Sequence, residues 1–425
     1  MTAVGFAVAD ITPPVGTPMS GYPDVRKDLP GAPDAMKGYV GRRGVSAGVH
    51  DPLLACAIAI DAGGERAVLV GLDTLVVTRA FTASVRSALA SDGLPPERVL
   101  IGATHTHAGP DLFAWWEGEQ PIAVERTVER TMAAARRALE RLEPAELSWG
   151  EAQLAHVSVN RRDEHDGALD ASVGVLRVVS QRTGDTLGLV VGFGCHPVTL
   201  DYANLLFSAD YIAPLRSALA AVYPGATVVF LNGAAGNVNP ARYPYEQRAN
   251  IYISQTLENY PVYWGGFDDA ARVGRSVAAA AVEAAERSLP LETPPPRGRV
   301  DGLELPLKGG EELERYLDFM HFGEAYRSSL AGKDALPTEV QALALGPLRI
   351  VGLPGEPFVE LGLALKACAS HGGPTLVVGF ANDDVRYVMT DDAYVEGQYE
   401  TVGTPLAAGS AAALVEAAAQ ALANV

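Results

Sequence analysis

Cysteine is scarce in this 425-residue chain: Cys56, Cys195 and Cys368 share no CxxC spacing and cannot all pair. That argues against a disulfide scaffold and against a thiolate zinc site. Positive charge is also short. Lys and Arg number 33 against 51 Asp and Glu, a net charge of −18, and such a surface repels phosphate backbones and anionic membranes. No nucleic-acid partner is expected. No apolar run reaches the roughly 18 residues that would span a bilayer. The opening, MTAVGFAVADITPPVG, has neither a basic n-region nor an apolar h-region. The expectation is no transmembrane segment, no signal peptide and a cytoplasmic setting.

What the chain does have is ample core material. Apolar residues make up 48% and charged residues 20%, and 44 Gly with 29 Pro occur without period, which means tight turns rather than low complexity. Short β-branched runs ending at Gly, Pro or Asp predict strands at 55–60, 67–73, 98–105, 187–196, 226–232, 348–356 and 375–383. Helical spacing is clear over 121–142, where Val124, Val128, Met132, Ala135, Leu139 and Leu142 recur at i, i+3/i+4. Further helices are predicted at 212–222, 267–288, 310–331 and 405–424. Alternation of the two element types predicts an α/β fold. Strand runs at 44–73, 297–307 and 338–353 without intervening helices predict mixed β-sheets with flanking helices. The residues 1–425 read as a single domain, with a candidate internal boundary at the proline-rich 288–299.

Polar residues at strand ends carry the functional signal, because ligands of open α/β sheets bind beyond the carboxyl ends of the strands. In IGATHTHAGPD, His105 and His107 are two residues apart. In an extended chain they face one side, about 6.6 Å apart along the strand, and one or both could hold a metal. His196 follows an apolar strand and precedes Pro197, whereas its neighbour Cys195 points the other way, into packing. Glu356 stands after Pro-Gly at a predicted strand-to-helix turn, where a carboxylate also complements a helix dipole. Tyr387, Tyr394 and Tyr399 cluster in RYVMTDDAYVEGQYE. The loop FLNGAAGNVNPAR, with Gly233, Gly236, Asn237 and Asn239, matches neither a Walker loop nor a GxSxG elbow. It is either a plain turn or a cradle of backbone N–H groups for an anion. The stretches 22–50 and 241–266 read as surface excursions or lids, with His50 a candidate pocket residue.

In this order the segments resemble the neutral/alkaline, non-lysosomal ceramidase family, in its N-terminal catalytic domain. The resemblance runs through VGFAVADITPPVGTPMSGY (4–22), ATHTHAGP (103–110), NRR (160–162), GCHP (194–197), NGAAGNVNP (232–240), PGE (354–356) and the tyrosine block 387–399. It implies a ceramidase-like catalytic α/β fold with one Zn2+, held by His105, His196, Glu356 and Tyr387. It implies His107 beside the ion in contact with substrate, Tyr399 on the oxyanion, Arg161 (or Arg162) and Gly21 at the substrate, and Gly236 with Asn239 in the loop near it. The implied reaction is hydrolysis of an amide by attack of zinc-bound water, as in a linear amide C–N hydrolase. Either His107 or Glu356 would relay the proton. Two imidazoles, a carboxylate and a phenol oxygen are a donor set suited to zinc.

Two features depart from the family. Asn239 stands where the family carries a serine tied to catalysis; an amide can hold a carbonyl oxygen but cannot act as a nucleophile. The chain ends at Val425 with no counterpart of the family's C-terminal β-sandwich, so a short homologue acting on a substrate more soluble than ceramide is expected. The expected partner is a small amide or lipid-like molecule. An esterase or lactonase with the same zinc site, and a catalytically silent ligand-binding homologue, are the alternatives. A two-metal phosphoesterase fits less well, since few Asp and Asn stand at the other strand ends.

Overall fold

The computed structural model describes residues 2–22, 45–112, 121–163, 165–241, 265–292, 294–320, 322, 324–368 and 372–425. Most of the predicted excursions 22–50 and 241–266 lie outside these. The mixed α/β architecture expected from the sequence is observed. The larger sheet runs in the order Thr227–Asn232, Thr186–Phe193, Ser172–Ser180, Glu143–Gln153, Thr2–Asp10, Leu54–Ala62, Glu65–Leu72 and Val99–Ala103. Both ends of this order are parallel pairs and the middle is antiparallel. A second sheet runs Arg297–Pro306, Ala335–Leu345, Leu348–Gly352 and Thr375–Val378.

The larger sheet curls on itself, so that Thr227–Asn232 lies against the strands at its other end. Gly71 makes this approach possible, because a Cβ there would meet Phe230 O at 2.3 Å. Between the layers, Val4, Ile58, Leu100, Leu176, Val190 and Val229 pack with Leu343, Ile350, Leu376 and Val378 of the second sheet. The two sheets thus share one core across the 288–299 connection. Its Leu289–Pro290 pairs with Glu143–Gln153 of the larger sheet, and Arg297 opens the second sheet.

Helices cover the outer faces. Predicted 121–142 is Pro121–Glu140, 212–222 is Ile212–Val222, 267–288 is Phe267–Glu286 and 405–424 shortens to Ser410–Ala423. Predicted 310–331 splits into Gly310–Phe319 and Glu324–Leu330. Helix Arg79–Ser91 was not anticipated, although Phe81, Val85 and Leu89 share its buried face and Thr78 caps it by accepting from Phe81 N–H. Several strands end sooner than predicted. The run 187–196 stops at Phe193, 348–356 at Gly352 and 375–383 at Val378, which leaves their polar residues in loops beyond the sheet.

Helix Ile212–Val222 packs on Phe267–Glu286 at Gly274, where a Cβ would meet Tyr211 O at 2.4 Å and Leu215 N at 2.8 Å. Gly274→Ala gains about 1 kcal/mol of helix propensity but forces backbone apart, a change costing about 1–3 kcal/mol. A lower urea midpoint at unchanged m-value is expected; an equal or higher midpoint would contradict this packing.

Candidate functional site

The carboxyl ends of the strands meet at one place, and side chains tie them together. Asn232, at the end of its strand and fully buried, donates through Nδ2 to Thr104 O (3.0 Å) and Cys195 O (3.2 Å) and accepts from Cys195 N–H (3.2 Å). Gly379 N–H donates to Asn232 O, and Ala103 N–H to Phe380 O. The loops carrying His105, His196 and Phe380 therefore share one knot of hydrogen bonds.

His105 departs from the extended geometry expected of THTH. Its strand ends at Ala103, and His105 takes φ +69°, the left-handed region that strains a residue with a Cβ. The turn brings His107 Nε2 to 3.2 Å from His105 Nε2 instead of leaving the pair spread along a strand. Phe380 stacks on the His105 ring at 4.1 Å between centroids.

The tautomers follow from the partners. A carbonyl oxygen only accepts, so His105 Nδ1 donates to Leu75 O and His196 Nδ1 donates to Ala235 O, both at 2.6 Å. In the neutral rings the Nε2 lone pairs are then left to face inward. Both point at one carboxylate oxygen: Glu356 Oε2 lies 3.3 Å from His105 Nε2 and 3.1 Å from His196 Nε2. Burial pulls His196 down to about 4 against the opposing pull of Glu356, so this ring is neutral near pH 7. Burial pushes the Glu356 carboxyl up, but a proton on either facing imidazole would outweigh it by charge and hydrogen bond, and the carboxyl is held well below its ordinary range. Lone pairs and a carboxylate at this range repel one another unless a cation lies among them. The ligand-capable atoms of His105, His107 and His196 all fall within 4.8 Å of one another, and all three residues are buried. The donor set therefore fits a divalent metal.

Glu356 is held by backbone geometry. It sits in the two-residue strand Glu356–Pro357, in parallel register with Tyr387–Val388, which puts Glu356 and Tyr387 side by side on one face. It precedes the helix Val359–Ala367; Glu360, not Glu356, occupies the first helical turn. Gly236 abuts this strand, since a Cβ there would meet Glu356 O at 2.4 Å, and its N–H donates to Pro357 O at 2.8 Å. Its contribution is thus close backbone packing beneath Glu356 rather than a free N–H for substrate. Gly233 N–H and Val238 N–H are likewise taken, by Phe193 O and Ala235 O. Gly21, at φ +101°, faces His107, where a Cβ would come within 2.7 Å of its Cα.

A buried ion triad lies alongside. Arg161 Nε and Arg162 Nη1 each reach a different oxygen of Glu400 at 2.7 Å, and the side chains of Arg161 and Glu400 are wholly buried. Arg161 Nη1 also donates to Asn239 Oδ1 at 3.4 Å. That contact orients the amide. Asn239 Nδ2 is buried and has no hydrogen-bond partner among the described residues, a donor ready for an incoming acceptor. The Arg161 guanidinium stands over the Tyr387 ring at 5.4 Å, and the Tyr387 and Tyr399 rings are 5.9 Å apart. Burial and the charge of Glu356 push the Tyr399 hydroxyl far above its ordinary range, so it remains an O–H donor. Arg162 is committed elsewhere: besides Glu400 it holds Glu396 (2.8 Å), Ala393 O and Gly397 O. It braces the tyrosine block.

His50 is exposed, stacked on Phe267 at 3.5 Å and paired with Asp51, and Cys195 is buried in packing. Sequence reading passed over Asn232 and Glu400. A single Asn ending an apolar strand was the available signal for the first. The second adjoins a nominated tyrosine but gives no sign of partners more than 200 positions away.

A family model described as neutral/alkaline non-lysosomal ceramidase, N-terminal, matches residues 3–215. The neutral ceramidase of Pseudomonas aeruginosa is 23% identical over 440 aligned positions, covering 86% of this chain and 66% of that protein. The neutral ceramidase of Mycobacterium tuberculosis is 22% identical, covering 99% of this chain and 76% of that one. This chain thus spans just under two thirds of the Pseudomonas relative's length. The crystal structure of the Pseudomonas enzyme superposes with a TM-score of 0.76 at 22% identity, over all of this chain and 75% of that one, which establishes the shared fold.

Proposed function

Because the chain belongs to the neutral/alkaline non-lysosomal ceramidase family, we propose that it is a zinc-dependent hydrolase of an N-acyl amide, ceramide-like or more soluble, acting as one catalytic domain. The observation that carries this reading is the convergence of His105 Nε2, His196 Nε2 and Glu356 Oε2, with both Nδ1 atoms committed to carbonyls. Those three residues, with Tyr387 beside Glu356, would hold the ion. When bound, Zn2+ supplies a Lewis acid that acidifies water and polarises a carbonyl.

The chain's own groups do the rest. Tyr399, protonated, donates to the oxygen on which charge develops, and the Asn239 Nδ2 group is a second donor. Preorganised donors of this kind contribute most when charge appears in a dry site. Arg161 holds the Asn239 amide in the donating orientation, and Glu400 holds Arg161. His107, within reach of His105 Nε2, takes a proton and returns it to the departing amine. A nucleophilic hydroxyl is not required, so Asn239 is compatible with amide cleavage.

The test is metal removal. Dialysis against a chelator is expected to abolish hydrolysis of an N-acyl amide, and one equivalent of Zn2+ per chain to restore it. Undiminished turnover by protein shown metal-free by mass spectrometry would overturn the proposal. Matched amide and ester substrates distinguish an amidase from an esterase. Bound zinc with neither substrate cleaved would identify a ligand-binding homologue. Among the described residues no helix is long and apolar enough to cross a membrane.

A further inference from the structure

A separate cavity of about 290 Å³ is lined by Lys308, Arg315, Tyr316, Tyr394 and Val402, among others. Lys308 is a buried ammonium. It donates to Thr401 O and, at 2.7 Å, to Thr404 O, carbonyls at the end of the short helix Tyr399–Val402. Those two bonds leave one N–H of the three unassigned, and no carboxylate lies within ion-pair distance of it among the described residues. A buried charge without a counter-ion is costly, and proteins normally pair it. Arg315, exposed at the cavity, also has no carboxylate partner among the described residues. Glu312 lines the same cavity and partly offsets the two cations, leaving the lining one positive charge in an acidic protein. Burial, aided by Arg315 and opposed by Glu312, pulls Lys308 down to about 8, so it is still charged near neutrality.

The remaining lining is apolar in what it offers. Tyr316 OH is engaged with Tyr326 OH (3.0 Å), and Tyr394 OH donates to Leu406 O and Ala407 O. Thr401 Oγ1 donates to Gly397 O at 2.8 Å. With both hydroxyls engaged, what the tyrosines add to the lining is chiefly ring carbon, alongside Val402, Ala407 and Ala408. A ligand that satisfies this lining has one negative charge and a short apolar tail. Glu312 opposes a second charge, and the volume sits near the roughly 300 Å³ lower end of small-molecule sites.

We propose that this cavity is a second binding site, distinct from the imidazole cluster, for a short-chain monocarboxylate held by Lys308 and Arg315 with its tail against Tyr316 and Tyr394. The proposal does not depend on the hydrolase reading. The experiment is calorimetric titration of the full chain with sodium hexanoate, with hexan-1-ol as its uncharged counterpart, and with inorganic phosphate. Saturable one-to-one binding of hexanoate is expected, with hexanol about tenfold weaker or worse, as loss of a charge-assisted contact implies. Phosphate should bind more weakly than hexanoate. Arg315→Met, at an exposed position, should weaken hexanoate at least about fivefold, and this localises binding to the cavity because Arg315 is not part of the imidazole cluster. Lys308→Met should weaken it further; if that variant does not fold, Arg315→Met alone decides. Absence of saturable hexanoate binding, tighter binding of phosphate, or unchanged affinity in Arg315→Met would overturn the assignment.

Discussion

His196→Ala is expected to lower retained metal to background and N-acyl amide hydrolysis by about three orders of magnitude. The side chain is fully buried and does two jobs. Its Nδ1 fixes the ring on Ala235 O, and its Nε2 completes the group around Glu356 Oε2. Removing it deletes one donor from the group that faces Glu356 Oε2. A Lewis acid contributes several kcal/mol to a developing charge, and each 1.4 kcal/mol is about tenfold in rate. Part of the change is structural, since Ala235 O loses its donor, so metal analysis and circular dichroism accompany the assay. Metal content and turnover within about twofold of the parent, in a folded variant, would remove His196 from the ligand set.

Glu400→Gln is expected to cost about 3–5 kcal/mol of stability, the range for breaking a buried ion pair from one side. The neutral amide removes the buried charge that Arg161 and Arg162 share, leaving Arg162 with the more exposed Glu396. It also frees Arg161, so the Asn239 amide loses its orientation and kcat should fall more than KM rises. The pH dependence has a definite sign. Burial pushes the Glu400 carboxyl up, but Arg161 and Arg162 outweigh it and hold it below the ordinary value of 4.5. A group lowered in this way stabilises the fold fully above its unfolded value and loses that contribution as pH falls through its folded value. The stability gap between parent and variant should therefore be flat from neutrality down to about pH 5, then close on further acidification. Urea unfolding at several pH values reads this directly. A gap below about 1 kcal/mol at pH 7 would mean that the triad contributes little.

The two variants probe parts of the site that differ in how far they can be read from sequence. His105, His107, His196 and Glu356 were identifiable because they interrupt apolar strand endings, where a buried strand has no use for a polar side chain. The predicted strand runs kept these residues in extended chain. The structure ends the strands early and turns His105 left-handed, because the loops are bound to one another through Asn232 and Phe380. The family resemblance implied Arg162, as the alternative to Arg161, and Gly236 near the substrate. Their actual partners, Glu400 and the backbone of Glu356, come from segments more than 100 positions away. Helix Arg79–Ser91 was legible from its cap and its spacing and was passed over.

By itself the sequence determined the element types, the mixed strand connections and the chemistry of the candidate donors, since periodicity, turn residues and side-chain type are local properties. Only the tertiary structure decided which nitrogens face inward, that one carboxylate oxygen serves both imidazoles, and that two arginines share Glu400. The reason is physical. A tautomer is set by the carbonyl that a ring meets, and a buried charge by the counter-charge it meets. Those meetings occur only where the curled sheet brings distant strand ends together.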